Sequence, residues 1–359
     1  MSEWTRREFG YTLGGAVAFA GQARTAQPAA RAGSITDVPG IQVGHATDPR
    51  RPTGCTAILF DPAAAAGVDY DSSAPGESQG VLLQPVSPVE RIHALFFTGG
   101  GVLALPASSG VLRYLEERKV GFDWGTPDLR IPIVVSAVID DLAVGNPRIR
   151  PGDGLAYQAC AAASSGPVAE GNVGAGAGAT VGKMHRGRGF SGMKGGLGTA
   201  SLTIGDLVIG ALAVVNAAGD VLDWRRGEIV AGARRPDGSF ADSVEVMRPI
   251  VLGSKGNALQ DPALGSTTLA VVATNAALTK TALTKVAMMA NCGAARAIRP
   301  YHTTGDGDQM FAVSTGRLQR SDLPLTVIGA LAADVVADAI VRGVRAATGV
   351  DGWPAVRDL

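Results

Sequence analysis

Apolar positions along the chain repeat at two spacings, every second residue or every third to fourth, and each spacing predicts its own elements. Ile41 and Val43 alternate with polar or small residues and predict a strand; Cys55 to Phe60 is a second short apolar run. Phe96-Phe97-Thr98 breaks into Gly99-Gly100-Gly101, after which Pro106 to Lys119 reads as a helix with Val111, Leu112 and Leu115 at helical spacing. Residues 131–139 are rich in β-branched side chains and predict a buried strand. Asp153 is placed to cap an alanine-rich helix ending near Gly166. Thr199 to Ile204, a Gly205-Asp206 turn, and Leu207 to Asn216 predict a hairpin. Residues 225–262 carry many charged, Gly and Pro residues with little periodicity, which predicts a long exposed connection. It leads into Gly265-Ser266-Thr267-Thr268 and an apolar run to Asn275, read as a buried strand. Thr279 then caps a helix towards Arg296, with Leu283, Val286, Ala287 and Ala290 at i, i+3, i+4 and i+7. A short strand from Met310 to Thr315 and a last helix from about Leu325 to Thr348 complete the pattern.

Composition narrows the class. The 359 residues are 46% hydrophobic and only 18% charged, enough for one large or two smaller globular domains. Lysine plus arginine equals aspartate plus glutamate at 32 each, so no electrostatic footprint for nucleic acid or anionic lipid is present. Cys55, Cys160 and Cys292 share no metal-like spacing and read as small buried hydrophobes. His45, His93, His185 and His302 are scattered, which argues against a metal site. The first residues differ in character. Thr5-Arg6-Arg7-Glu8-Phe9, a weakly apolar segment from Gly10 to Ala20 and small residues up to Gly33 form the order of a twin-arginine signal. That order predicts export to the periplasm or outside the cell, and residues 1–33 are set aside from fold reasoning.

Candidate chemistry begins at Thr267. A hydroxyl residue opening a buried strand is either ordinary strand-start polarity or, after a cut before it, a nucleophile joined to its own α-amino base. Such an amine has an ordinary pKa of roughly 7.7–8.0, near working pH. The glycine run from Gly171 to Lys183 invites a phosphate-loop reading, but its spacing fails. Ala177 stands where a Walker loop needs glycine, Met184 follows Lys183 where Ser or Thr is needed, and Gly176-Ala177-Gly178 leads to Val181. The glycines instead allow close backbone approach, with Lys183 at their end.

Five features line up in order: Thr98-Gly99-Gly100-Gly101, Gly182-Lys183, Val214-Val215-Asn216, the run from Ser266 to Asn275, and Gly305-Asp306-Gly307-Asp308. Together they resemble the L-aminopeptidase D-amidase/esterase family, which includes β-aminopeptidases and nylon-oligomer hydrolases. The resemblance runs from about Ile35 to Ala347. It implies a four-layer α/β/β/α sandwich of mixed sheets, of the N-terminal-nucleophile type, that cuts itself. Cleavage between Ser266 and Thr267 would leave an α subunit of residues 34–266 and a β subunit of residues 267–359. The neighbouring Ser266 hydroxyl leaves open a cut one residue away.

The same resemblance implies roles for side chains. Thr267 is the nucleophile and Asn216 the donor to the oxyanion. Lys183 favours the unprotonated nucleophile. Asp306 and Asp308 orient it or receive a substrate ammonium. Read from sequence alone, Asn216 is a polar strand end, Lys183 a solvated loop lysine and the aspartates turn residues. Asp140 stands where several members carry tyrosine. The resemblance further implies hydrolysis of small peptides, amino-acid amides or amino-acid oligomers, no metal or organic cofactor, no nucleic-acid or membrane partner, and a homotetramer of αβ units. Two readings compete: an ornithine-acetyltransferase-like acyltransferase of the same fold, and an uncleaved, non-catalytic periplasmic protein.

Overall fold

The computed structural model describes residues 33–186, 189–251 and 265–359. The twin-arginine segment and the last part of the 225–262 connection lie outside them. Eight strands carry the architecture: β1 Ile41–Thr47, β2 Gly54–Asp69, β3 Ile92–Thr98, β4 Val134–Val138, β5 Gly196–Ile204, β6 Leu207–Asn216, β7 Thr267–Ala276 and β8 Gln309–Leu318. Five helices accompany them: α1 Ser109–Glu116, α2 Asp153–Ala161, α3 Ser243–Val251, α4 Lys280–Ala297 and α5 Leu325–Ala346.

The strands form two mixed sheets that share β2. Its first half pairs antiparallel with β1 and β3, and β3 runs parallel to β4. Its second half pairs antiparallel with β8, followed by β7 parallel to β8, then β6 and β5, both antiparallel. The register of β2 with β3 shifts between Leu59 and Ala64. Pro62 lies in that interval and has no N–H to give to a ladder.

Alternation along the strands decides the layers. Ile58, Phe60, Ala66 and Val68 of β2 point into the core between the sheets, where they meet Phe97, Leu212, Val214, Leu269, Val271 and Phe311. Cys55, Ala57 and Leu59 point the other way, onto a smaller core with Val111 and Leu115 of α1 and Ala156 and Cys160 of α2. On the far side Ala211, Ala213, Ala270, Val272 and Ala312 pack beneath α4 and α5. Three cores between four layers give the α/β/β/α sandwich.

Several sequence expectations hold closely. The 205–206 hairpin turns at Gly205 with φ +59°, and the Thr279 hydroxyl accepts the Ala282 N–H at the start of α4. Others need correction. The helix expected at 106–119 begins as a 3-10 segment at Gly101 and becomes α-helical only over Ser109–Glu116. Gly152, not Asp153, caps α2, which stops at Ala161; the Asp153 carboxylate instead pairs with Arg113. The strand expected at 131–139 is confined to Val134–Val138. The connection expected to be exposed carries strand Glu228–Ala231, helix α3 and buried Ala231, Ala233, Ala241 and Ser243. Its order comes from pairing with residues 221–223 and from Asp220, which accepts the Ser243 and Ala233 N–H groups. Cys292 is exposed, unlike Cys55 and Cys160.

Helix α5 lies so close to β5 that a Cβ built on Gly198 would come within 2.1 Å of the Ala339 carbonyl oxygen and 2.3 Å of the Gly343 nitrogen. Backbone cannot yield as a flexible side chain does. Gly198→Ala is therefore expected to destabilise the fold by about 1–3 kcal/mol, the usual range for forcing volume into a packed interior. The shift in the urea midpoint measures it.

Candidate functional site

The pairing register gathers one edge of the sheet. Asn216, the last residue of β6, faces Thr267, the first of β7. Because β7 and β8 run parallel, their starts share that edge, and Leu269 faces Gln309. The segment 306–308 leading into β8 is thereby delivered beside Thr267. Ser266 makes an isolated parallel bridge with Asp306, and the Gly307 N–H donates to the Ser266 carbonyl at 2.9 Å. A Cβ on Gly307 would lie 2.5 Å from the Ala74 carbonyl oxygen and 2.9 Å from Thr267 Oγ1, so this contact needs glycine.

Thr267 is buried, and its hydroxyl donates to the Ser266 carbonyl oxygen at 2.6 Å. That carbonyl therefore accepts two hydrogen bonds, one from the Thr267 hydroxyl and one from Gly307. The Gly265 carbonyl takes two others: Lys183 Nζ at 3.2 Å and Asn216 Nδ2 at 3.3 Å. Lys183 also donates to Asn216 Oδ1 at 2.7 Å and to Thr180 Oγ1 at 3.3 Å, and Asn216 Nδ2 donates to the Asp140 carbonyl at 3.1 Å. The Thr180 N–H and hydroxyl complete the set on Asn216 Oδ1 at 3.0 and 3.3 Å. Lys183 and Asn216 thus meet each other and Gly265, and neither hydrogen-bonds the Thr267 hydroxyl.

The aspartates act through backbone. Asp308 Oδ1 accepts the Thr268 N–H at 2.5 Å, and its Oδ2 accepts the His302 N–H at 3.3 Å with His302 Nδ1 3.5 Å away. Asp306 Oδ2 accepts the Thr303 N–H at 2.8 Å, while its carbonyl takes N–H groups from Ser73 and Ala74. Burial raises the pKa of both carboxyls, and for Asp308 the charge of Asp306 adds to it. Burial acts in the opposite direction on Lys183 and lowers its pKa to about 8; Asp140, Asp306, Asp141 and Asp308 oppose the drop. Among the described residues no group of three or more His, Cys, Asp or Glu side chains is arranged to hold a metal ion.

Several contributors escape a reading by residue type. Arg51, fully buried, pairs with Asp141 at 2.6 Å and donates to the Val144 carbonyl at 2.7 Å and the Ile149 carbonyl at 2.9 Å. It also bonds the Asp141 carbonyl, while Asp141 accepts the Gly100 N–H at 2.9 Å. This fixes the loop after β4 that carries Asp140. Lys194, also fully buried, donates to the carbonyls of Gly176, Ala179 and Gly195 and so holds the glycine run that delivers Thr180 and Lys183. Beside these groups opens a cavity of about 690 Å³ whose lining includes Asp140, Thr180, Lys183, Arg186, Gly265 and Trp353.

Known proteins resemble this chain along most of its length. The profile of peptidase family S58 matches residues 33–356. A protein of Mycobacterium tuberculosis described as an uncharacterized aminopeptidase is 38% identical over 357 residues, covering 91% of this chain and 97% of that one. A 6-aminohexanoate-oligomer endohydrolase of Kocuria sp. is 30% identical over 323 residues, covering 86% and 85%. Among solved structures, the L-aminopeptidase D-Ala-esterase/amidase of Ochrobactrum anthropi superposes with a TM-score of 0.65 at 23% identity, over 90% of this chain and 88% of that one. That protein is described as a variant of the Ntn hydrolase fold, and this chain shares the fold.

The raised pKa of Asp308 has a consequence for stability. With the folded value above the ordinary 3.8, the folded chain binds more protons than the unfolded chain between the two values. The stabilising contribution is full below 3.8 and is lost as pH rises through the raised folded value. Asp308→Asn keeps an acceptor for the Thr268 N–H and removes the titration. Denaturant midpoints across pH 4 to 8, a span of about that window, are expected to show the wild type losing stability relative to Asp308→Asn as pH rises.

Proposed function

The chain belongs to peptidase family S58 and is a hydrolase of the aminopeptidase/amidase type; from that footing we propose that it cuts itself before Thr267 and then works through the freed threonine. The observation that carries this reading is the Thr267 hydroxyl resting against the Ser266 carbonyl while the Gly307 N–H polarises the same oxygen.

In maturation Thr267 Oγ1 attacks the Ser266 carbonyl carbon. The new C–O bond replaces the C–N bond, and the hydroxyl proton passes to the departing Thr267 nitrogen. Water then hydrolyses the ester, leaving a Ser266 carboxylate and a β fragment of residues 267–359. In turnover the same oxygen attacks a substrate amide, the Thr267 amine takes its proton and hands it to the leaving amine, and water releases the acyl group. Departure of the Gly265 carbonyl frees Asn216 Nδ2 and Lys183 Nζ to serve the substrate. Lys183, with its pKa lowered to about 8, supplies positive potential that disfavours a protonated Thr267 amine. The substrates in this reading are small peptides, amino-acid amides or amino-acid oligomers. The reading also carries twin-arginine export to the periplasm or beyond and assembly into a homotetramer of αβ units.

A second position for the cut has its own support. The Gly265 carbonyl is the one that Lys183 and Asn216 hold, and the Ser266 hydroxyl is buried without a hydrogen-bond partner. N-terminal sequencing of the smaller fragment decides between Ser266 and Thr267. The expected result is a start at Thr267 in the wild type, a single uncut chain for Thr267→Ala, and cutting retained by Thr267→Ser. A Thr267→Ala variant that is still cut would overturn the proposal.

A further inference from the structure

We propose that the Asp140 carboxylate is the anchor for the free ammonium of the substrate's acyl residue, and so sets the preference for amine-bearing over N-blocked substrates. The inference rests on the reading in which the cut falls before Thr267.

The uncut chain marks the track a substrate must follow. If Ser266 is the residue whose carbonyl is attacked, its side of the bond occupies the acyl position and Gly265 lies one residue beyond. An aminopeptidase substrate ends at that point: its acyl residue carries an ammonium where the chain continues into Gly265. Lys183 and Asn216 hold the carbonyl of this continuation, and the carboxylate lying against it is that of Asp140. A Cβ on Gly265 would come within 3.1 Å of Asp140 Oδ2, and Gly265 itself holds a left-handed φ of +95° to pass that carboxylate.

Asp140 is free for the task. Its Oδ1 accepts the Leu142 N–H at 2.9 Å, it forms no ion pair with a described residue, and it borders the 690 Å³ cavity together with Lys183. Its neighbour Asp141 is spent on Arg51, which holds the loop still. Asp140 is thus a half-buried, fixed carboxylate at the end of the acyl track, and an ammonium there would gain a charge-assisted hydrogen bond. Besides Asp140 the cavity lining carries Asp141, whose side chain is buried against Arg51, and two cations, Lys183 and Arg186. Lys183 is held by Asn216, Thr180 and Gly265, and the Arg186 guanidinium stacks over the Trp353 ring at 4.4 Å. Of the two carboxylates in the lining, Asp140 is the more exposed and the one without an ion pair among the described residues.

The test uses the processed full-length protein and three anilides: alanine p-nitroanilide, its N-acetyl form, and propionyl p-nitroanilide, which lacks the amine. Wild type is expected to favour the amine substrate, through KM more than kcat. Asp140→Asn should raise that KM on the order of tenfold or more, the weight of a hydrogen bond to a charged group, and bring its kcat/KM towards that of the propionyl substrate. Asp140→Glu should restore part of the preference. A wild-type protein that hydrolyses the N-acetyl substrate as well as the amine, or an Asp140→Asn variant that keeps the wild-type ratio, would overturn the proposal. N-terminal sequencing of the same samples separates the two levels. A smaller fragment starting elsewhere than Thr267 defeats the underlying reading, whereas correct cutting with an unchanged ratio defeats the Asp140 assignment alone.

Discussion

Everything at the site depends on the register of three neighbouring strands. Asn216 stands opposite Thr267 because β6 and β7 pair in one alignment, and residues 306–308 stand beside them because β7 and β8 run parallel. A slip of one residue would turn Leu269 and Val271 out of the core between the sheets and put Ala270 and Val272 in their place. The packing of two apolar faces therefore fixes, to within a single residue, which residues of the neighbouring strands stand beside Ser266 and Thr267. No separate device is needed to align them.

The charges around that edge are organised by burial. Lys183, Asp306, Asp308, Asp141, Arg51 and Lys194 lie within a short stretch of the fold, and each has specific partners. Breaking a buried pair such as Arg51–Asp141 by removing one partner leaves an uncompensated charge, typically costing about 3–5 kcal/mol. The same low polarity moves the ordinary proton affinities in opposite directions, down for Lys183 and up for Asp308. Acid and base come closer in strength than either is in water, a setting in which small geometric changes move protons.

Much of this was legible in the chain itself. The alternation of Ile41 and Val43, the hairpin from Thr199 to Asn216 and the apolar run to Asn275 named strands, and the spacing of Leu283, Val286, Ala287 and Ala290 named α4. Thr267, Asn216, Lys183 and the aspartate pair are singled out by the family resemblance, not by residue type, and the fold brings them to one edge. What escaped has a common cause. The Gly307 N–H is a backbone group and carries no side-chain signature; in the sequence Gly307 is only a spacer between aspartates. Nothing in the sequence marks Arg51 and Lys194 as buried, because their partners are mostly backbone carbonyl oxygens, which carry no residue signature. Residues 228–251 looked unstructured because their strand and helix are short and take their order from Asp220 and the strand 220–223. Pattern within a segment reveals what buries itself regularly, and it is silent on what is tied down by a distant partner.

The interleaving of the second sheet bears on how long the two pieces of a cut chain keep company. Strands β7 and β8, both downstream of Ser266, lie between β6 on one side and the second half of β2 on the other, both upstream. Helices α4 and α5, downstream as well, roof the same sheet. To part, the pieces would have to unzip two ladders at once and lay open the aliphatic faces of Leu269, Val271 and Phe311 to water. Severing the backbone here makes two polypeptides in the chemical sense while leaving a single body in the mechanical one.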